Sequence, residues 1–350
     1  MNGLPPELTA AIFSFLHPST VQRYSRICYR IRAILHSSGF LLLNLSQFRM
    51  RQAKPLLTEA AWMWFYLPTI LQEAYADLEL FGHERIAWTT DPFHTFDGRY
   101  LTRKRLPDAV SRLQSLTVLK MTYLYLSGPL PEVLFELKLL EVLNLSSNDL
   151  QGCISPKIER LSSLKELNLS CNNLGGAIPD EIAFLKSLKV LQLRENRFES
   201  YPECIGSLIQ LEFLDLAFNQ LNCDIFESVG NLTQLEILHL YSNALKGPLP
   251  LSLGNLTSMK SLVLLENSLT GKLPDSLGNL VFLNELDLRF NQLSGSIPTT
   301  FKRLFVLGES SFPTLRLKGN PDFDKRIPRD ITRRDPVHKL LLDDGFIEEE

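Results

Sequence analysis

Leucine recurs along the C-terminal two-thirds of the chain at a nearly fixed interval. Leu137, Leu161 and Leu185 stand 24 residues apart, and after one 23-residue unit the spacing resumes at Leu208, Leu232, Leu256, Leu280 and Leu304. Leu113 lies 24 residues before Leu137. In the unit from Leu161 to Phe184, leucine or isoleucine fills positions 161, 164, 167, 169, 174, 178 and 182, with Asn172 among them and Gly176 and Pro179 following. The Leu167-x-Leu169 pair has the period of two of a short strand, so both leucines share one face. One strand cannot bury that face alone, whereas stacked units bury a continuous core. The pattern predicts a solenoid.

One asparagine recurs per unit: Asn148, Asn172, Asn196, Asn219, Asn243, Asn267 and Asn291, with Asn320 ending the series. A buried amide must find hydrogen-bond partners. From Leu113 to Phe323 these spacings, with the Leu-x-Gly-x-Ile-Pro that ends a unit, resemble the plant-type leucine-rich repeat. The resemblance implies an α/β repeat solenoid, a superhelix with short parallel strands on its concave face. It also implies that the asparagines form a ladder between coils, and so belong to the fold rather than to a site. Leu124 stands in place of the first ladder asparagine, as in an atypical capping unit. The unit from Leu185 is one residue short and carries Ser200 and Pro202 where the pattern has Gly-x-Ile-Pro, which predicts an irregularity on its outer face. An insertion separates Leu307 from Leu315, and Leu315-Arg-Leu-Lys-Gly-Asn-Pro resembles a closing coil.

Ahead of the repeat, the apolar positions change to helical spacing. Leu8, Ile12, Phe15 and Leu16 share one face of a helix opened by Pro5 and Pro6. His17-Pro18-Ser19-Thr20 breaks the helix and caps a second one carrying Val21, Tyr24, Ile27 and Cys28. Leu4-Pro5, Glu7-Leu8, Ile12, Phe15-Leu16, Pro18, Val21 and Ile27-Cys28 together resemble an F-box, with departures at Thr20 and Ile31. The resemblance implies a Skp-family adaptor of a cullin (SCF-type) ubiquitin ligase as partner, docked through Leu4, Pro5, Leu8, Ile12, Leu16, Val21 and Ile27. Residues 1–54 carry seven Lys or Arg against Glu7, a balance of +6, which suits an acidic partner. A plain helical cap on the first coil is the alternative. The expected organisation is an F-box-like module at 1–44, an aromatic helical connector with a degenerate coil at 45–112, the solenoid at 113–325 and a charged tail at 326–350.

Composition adds mainly exclusions. A net charge of −3 gives no reason to expect nucleic acid. The longest apolar run, around Ala60–Leu71, is too short to span a bilayer, and the N-terminus lacks the pattern of a signal peptide. Five cysteines without a Cys-x-x-Cys pair suggest neither disulfides nor zinc, and point to a reducing compartment, cytoplasmic and also open to nuclear residence. Four of the five Asn-x-Ser/Thr sequons arise from the repeat itself. No phosphate-binding, dinucleotide, nucleophile-elbow or His-Glu-x-x-His motif is present, so no catalysis and no cofactor is expected.

If the resemblance holds, the residues between and after the strand leucines form the concave face. Eight strands at about 4.8 Å spacing give roughly 34 Å of binding surface. The units around 144–171 are small and polar there, whereas later units carry Phe218, His239, Tyr241, Val263, Leu265, Arg289 and Phe290. Aromatic and arginine residues dominate interface hot spots. A protein substrate is expected at this patch, with Tyr241, Leu265 and Arg289 as its main contacts. The overall expectation is a substrate receptor of an SCF-type ubiquitin ligase. The alternative is an intracellular repeat scaffold or immune-type sensor without a ligase link.

Overall fold

A short strand opens each coil, and ten such strands hydrogen-bond in chain order into one parallel sheet. They are β1 (Arg85–Thr89), β2 (Val118–Thr122), β3 (Val142–Asn144), β4 (Glu166–Asn168) and β5 (Val190–Gln192). β6 (Phe213–Asp215), β7 (Ile237–His239), β8 (Ser261–Val263), β9 (Glu285–Asp287) and β10 (Thr314–Arg316) complete it. The computed structural model describes residues 85–89, 105–306, 314–324, 326–327 and 347–348. The F-box-like segment, most of the connector and most of the charged tail lie outside them, as does the insertion after Val306. Within the tail, Arg326–Ile327 pairs in parallel with Ile347–Glu348.

The sheet exceeds the expected eight strands by two. β1 has no Leu-x-Leu signature, yet it pairs with β2 from Arg85↔Val118 to Thr89↔Thr122. β10 follows the insertion and pairs Leu286 with Leu315. Ten strands give a face of about 43 Å. The α/β expectation also needs correction. Among the described residues the only α-helix is α1 (Lys302–Val306), and the coils return through five-residue 3₁₀ turns such as Glu132–Glu136 and Asp180–Phe184. The cause is local. Proline precedes most of these turns, at 131, 179, 202, 250 and 274 for example, with φ near −65 to −78°. The leucine that follows donates its N–H back three residues, as Leu185 does to the Ile182 carbonyl at 3.1 Å. A coil of about 24 residues has room for one tight turn and no more.

Each strand leucine points into the core, where Leu143, Leu167, Leu191, Leu214, Leu238, Leu262 and Leu286 are at most 1% exposed. Removing such a side chain costs about 2–5 kcal/mol. On the convex side the later coils stack through glycine. A Cβ added at Gly254 would lie 2.4 Å from the Ser276 carbonyl oxygen. The hydroxyl of Ser276 donates to the Leu251 carbonyl at 2.7 Å, and Ser252 and Thr300 repeat the bond in their own coils. The recurring Ser-x-Gly-Asn-Leu is therefore a backbone-on-backbone contact.

The asparagines run through the coils in one pattern. Asn172 donates to the carbonyls of Leu145, Leu169 and Ser170 at 3.0–3.2 Å, and its Oδ1 accepts from the Leu150 N–H at 3.0 Å. Asn148, Asn196, Asn219, Asn243, Asn267 and Asn291 repeat this arrangement, and Asn320 closes it on Leu288 and Leu293. Asn148 also accepts from Leu124, the residue that stands in the missing asparagine's place. After each of β3 to β9 the chain turns through one non-glycine residue in the left-handed region, among them Ser147, Glu195, Phe218 and Phe290 at φ 52–57°.

A second row of short strands follows the asparagines. It breaks into a four-stranded sheet ending at Arg197–Ser200 and a three-stranded sheet starting at Lys246–Pro248. The register slips between Gly176 and Ala177, opposite Phe198 and Ser200, and the next coil contributes no strand to this row. The outer face of the Leu185 unit is thus irregular, as its missing residue suggested. Tyr201, in the isoleucine position, is 3% exposed and packs edge-on against Phe226 at 5.2 Å.

Candidate binding face

The concave side chains come from four positions per coil: the residue before the first strand leucine, the residue between the leucines, and the two after the second. In β5 to β9 these positions hold a continuous polar and aromatic network. Arg194 is its centre. Its Nε donates to Glu195 at 3.0 Å, and one terminal nitrogen donates to the Tyr241 hydroxyl two coils away. Its guanidinium carbon lies 4.8 Å from the Phe218 ring centroid and 5.3 Å from that of Tyr241. Between them, Ala217 is fully buried. Phe218 and Tyr241 meet edge to face at 5.2 Å, and Tyr241 and His239 at 5.9 Å.

Below this layer sits Asp215, 6% exposed. Its Oδ1 accepts from the Ala217 N–H at 3.0 Å, and its Oδ2 is 4.0 Å from His239 Nδ1. Burial raises the Asp215 carboxyl above its usual range, against the pull of Ala217, His239 and Arg194. Burial lowers His239, although Asp215 and Glu285 favour its cation. The imidazole is therefore neutral near pH 7. Its Nε2 is 3.3 Å from Ser261 Oγ, which donates to Glu285 at 3.0 Å. Asp215, His239 and Ser261 follow one another like a hydrolytic triad, but the 4.0 Å gap and the bond from Ser261 to Glu285 leave no activated nucleophile.

A second cluster lies at β9 and β10. Asp287 is 1% exposed and receives Arg289 in a two-pronged pair at 2.6 and 2.9 Å. Arg316 adds contacts to Asp287 at 3.4 Å and to Glu285 at 3.5 Å. Phe290 stands exposed beside it.

The structure places the expected patch residues unequally. Phe218, His239 and Tyr241 are in ring contact, and Phe218 and Phe290 are the most open. Leu265 is half-buried on the same face, Arg289 is folded onto Asp287, and Val263 is buried at 7% exposure. Arg194, Phe213, Asp215, Ser261 and Glu285 join the network although the sequence pattern did not single them out. Phe213, Ser261 and Glu285 precede a strand leucine, where the period of two puts them on the same face. Phe213 meets His239 at 6.0 Å. The adaptor-docking residues Leu4, Pro5, Leu8, Ile12, Leu16, Val21 and Ile27 lie outside the described residues.

Cys153, Cys171, Cys204 and Cys223 are free thiols. Among the described residues no helix is long and apolar enough to cross a membrane, and no group of three His, Cys, Asp or Glu side chains could hold a metal ion.

Comparison with known proteins agrees with this geometry. The family model described as leucine-rich repeat region matches residues 130–267, and the one described as leucine-rich repeat matches 282–304. Among solved structures, a TDR receptor superposes with a TM-score of 0.59 at 29% identity, covering 65% of this chain and 38% of that one. The leucine-rich-repeat ectodomain of the Arabidopsis receptor kinase HAESA, in complex with an extended IDA peptide hormone, gives 0.55 at 34% identity, covering 61% and 36%. The plant peptide hormone receptor RGFR1, in complex with RGF2, gives 0.55 at 27%, covering 65% and 39%. The matched region thus spans under two-fifths of each of these relatives. No curated protein sequence matches the chain.

Proposed function

We propose that this leucine-rich-repeat chain is a non-enzymatic receptor that captures an extended polypeptide on its concave sheet. The observation that carries the reading is the Arg194–Phe218–Tyr241–His239 cluster. It is an aromatic and arginine patch of the kind that anchors protein interfaces, set on a rigid sheet, with no activated nucleophile beside it. The similarity to plant receptor ectodomains, two of them solved with peptide hormones, supports a peptide-like segment as the captured element. Alanine at Tyr241, Leu265 and Arg289 together abolishes partner capture while the far-ultraviolet circular dichroism stays unchanged. Intact capture by that folded variant refutes the assignment.

The finer proposal concerns the fate of the captured protein. Residues 1–44 dock a Skp-family adaptor and the chain delivers its substrate to an SCF-type ubiquitin ligase in the cytoplasm or nucleus. It catalyses nothing and raises the substrate's effective concentration at the ligase. The support is the F-box-like residue pattern and its +6 balance over residues 1–54. Purified adaptor should be retained by the wild-type chain and lost with Leu4→Ala/Pro5→Ala. If the wild type retains no adaptor, the ligase link falls. The second reading, a scaffold or immune-type sensor, then stands on the likeness to receptor ectodomains.

A further inference from the structure

The concave cluster already holds a cation. Arg194 lies over two aromatic rings at 4.8 and 5.3 Å, the arrangement by which proteins recognise arginine and quaternary ammonium groups. Beneath it, Asp215 is buried with Oδ1 bonded to Ala217, while Oδ2 lies 4.0 Å from His239 Nδ1, beyond hydrogen-bond reach. A carboxylate so placed gains from a donor that can reach Oδ2. The surrounding coils are acidic. Glu195 and Asp215 face Arg194, two negative charges against one positive with His239 neutral, a local balance of −1. The nearby Arg289 and Arg316 do not change this, because Asp287 and Glu285 already pair with them.

We propose that this cluster is an arginine-accepting subsite in which Arg194 is the resident stand-in for a basic side chain of the captured polypeptide. The proposal rests on the concave face being the capture surface and adds the chemistry of its central contact. The guest guanidinium stacks over the Phe218 and Tyr241 rings where Arg194 now lies and pairs with Asp215, and Arg194 moves out toward Glu195, to which it is already bonded. The internal arginine competes with the guest, so it sets the threshold for binding.

The test uses the full-length chain and three small probes: the acetyl-methylamides of arginine, lysine and glutamate. Saturation-transfer NMR and calorimetric titration read binding. Arg194→Ala should bind the arginine probe about tenfold more tightly than the wild type, because the tethered competitor is gone. The lysine probe should gain less, lacking a planar group to stack. Asp215→Asn on the Arg194→Ala background should remove the gain. Should the alanine variant fold poorly, Arg194→Met keeps the aliphatic stem and replaces it. No gain in the folded variant overturns the proposal. So does preferential binding of the glutamate probe by the wild type, which would make Arg194 itself the group that meets the partner. If Tyr241→Ala/Leu265→Ala/Arg289→Ala loses the partner while the arginine probe shows no gain, capture stands and the subsite falls. If the probe gains as expected and the triple variant still captures, the subsite stands and capture runs over another surface.

Discussion

Replacing Asn172 by alanine tests what the asparagine ladder contributes. Four hydrogen bonds disappear, and a simple sum at about 1 kcal/mol each gives about 4 kcal/mol. The structure argues for a smaller loss with a different origin. The Leu145 carbonyl keeps Asn148, the Leu169 carbonyl keeps Asn196, and the Ser170 carbonyl keeps the Ser147 N–H. Only the Leu150 N–H, at the entry to the second strand row, loses the acceptor it has. One orphaned buried donor costs about 1–3 kcal/mol, and the weakened carbonyl contacts add a few tenths each, so a loss of about 2–3 kcal/mol is expected. Asn172→Asp should be worse. It retains the acceptor for Leu150 but sets a buried carboxylate against three carbonyl oxygens 3.0–3.2 Å away. Urea unfolding followed by circular dichroism measures both variants. An alanine loss below about 1 kcal/mol, or an aspartate variant more stable than the alanine one, would falsify this account of the ladder.

The remaining predictions concern stacking, charge and pH. Gly254→Ala should cost more than about 2 kcal/mol, since its Cβ would meet the Ser276 backbone at 2.4 Å and backbone cannot step aside; a thermal melt at the wild-type midpoint refutes the close-approach reading. Lys165→Ala, which breaks the half-exposed pair to Glu141 at 2.9 Å, should change stability by only about 0.5 kcal/mol or less; a loss several times larger in the same melt contradicts it. Asp215 is raised by burial, so the folded chain holds that proton more tightly than the unfolded one, and the charged form is penalised once pH climbs past the unfolded value of 3.8. Asp215→Asn should therefore stabilise the chain at pH 7 and give no gain below the unfolded value; unfolding at several pH values decides. His239 is lowered by burial, so its contribution is intact above the unfolded value of 6.5 and is lost as pH falls below it. His239→Gln should flatten the fall in stability between pH 6.5 and 5, and an unchanged slope would place the titration elsewhere.

The repeat was legible because its requirements are residue-specific. Apolar side chains, mostly leucine, fill the interior of a coil at fixed positions, and an amide can both donate to carbonyls and accept from an N–H at one ladder position. β1 was not legible, because Arg85-Ile-Ala-Trp-Thr carries no leucine period, although its backbone pairs with β2. The 3₁₀ returns were hidden for a related reason. The resemblance supplied the helical half of an α/β coil, while the prolines before the turns favoured tighter ones. In the site, the aromatic residues were found by type and their partners were not. Nothing in the sequence pattern singled out Asp215 and Glu285, which the coils bring beside His239 and Ser261.

The most informative residue at the site is Ala217, which a search for reactive or bulky side chains passes over. It occupies the same place in its coil as Arg194 and Tyr241 do in the coils on either side. Strands two coils apart are separated by about 9.6 Å, so those two side chains can meet only if the coil between them presents almost nothing. Alanine satisfies that condition, and it is itself fully buried under the bridge. In a solenoid the leucines and asparagines hold the fold, which leaves the concave positions free to vary. A small residue among large ones then has a consequence as definite as an aromatic residue. Here it lets one cation lie across two rings and close over a buried carboxylate.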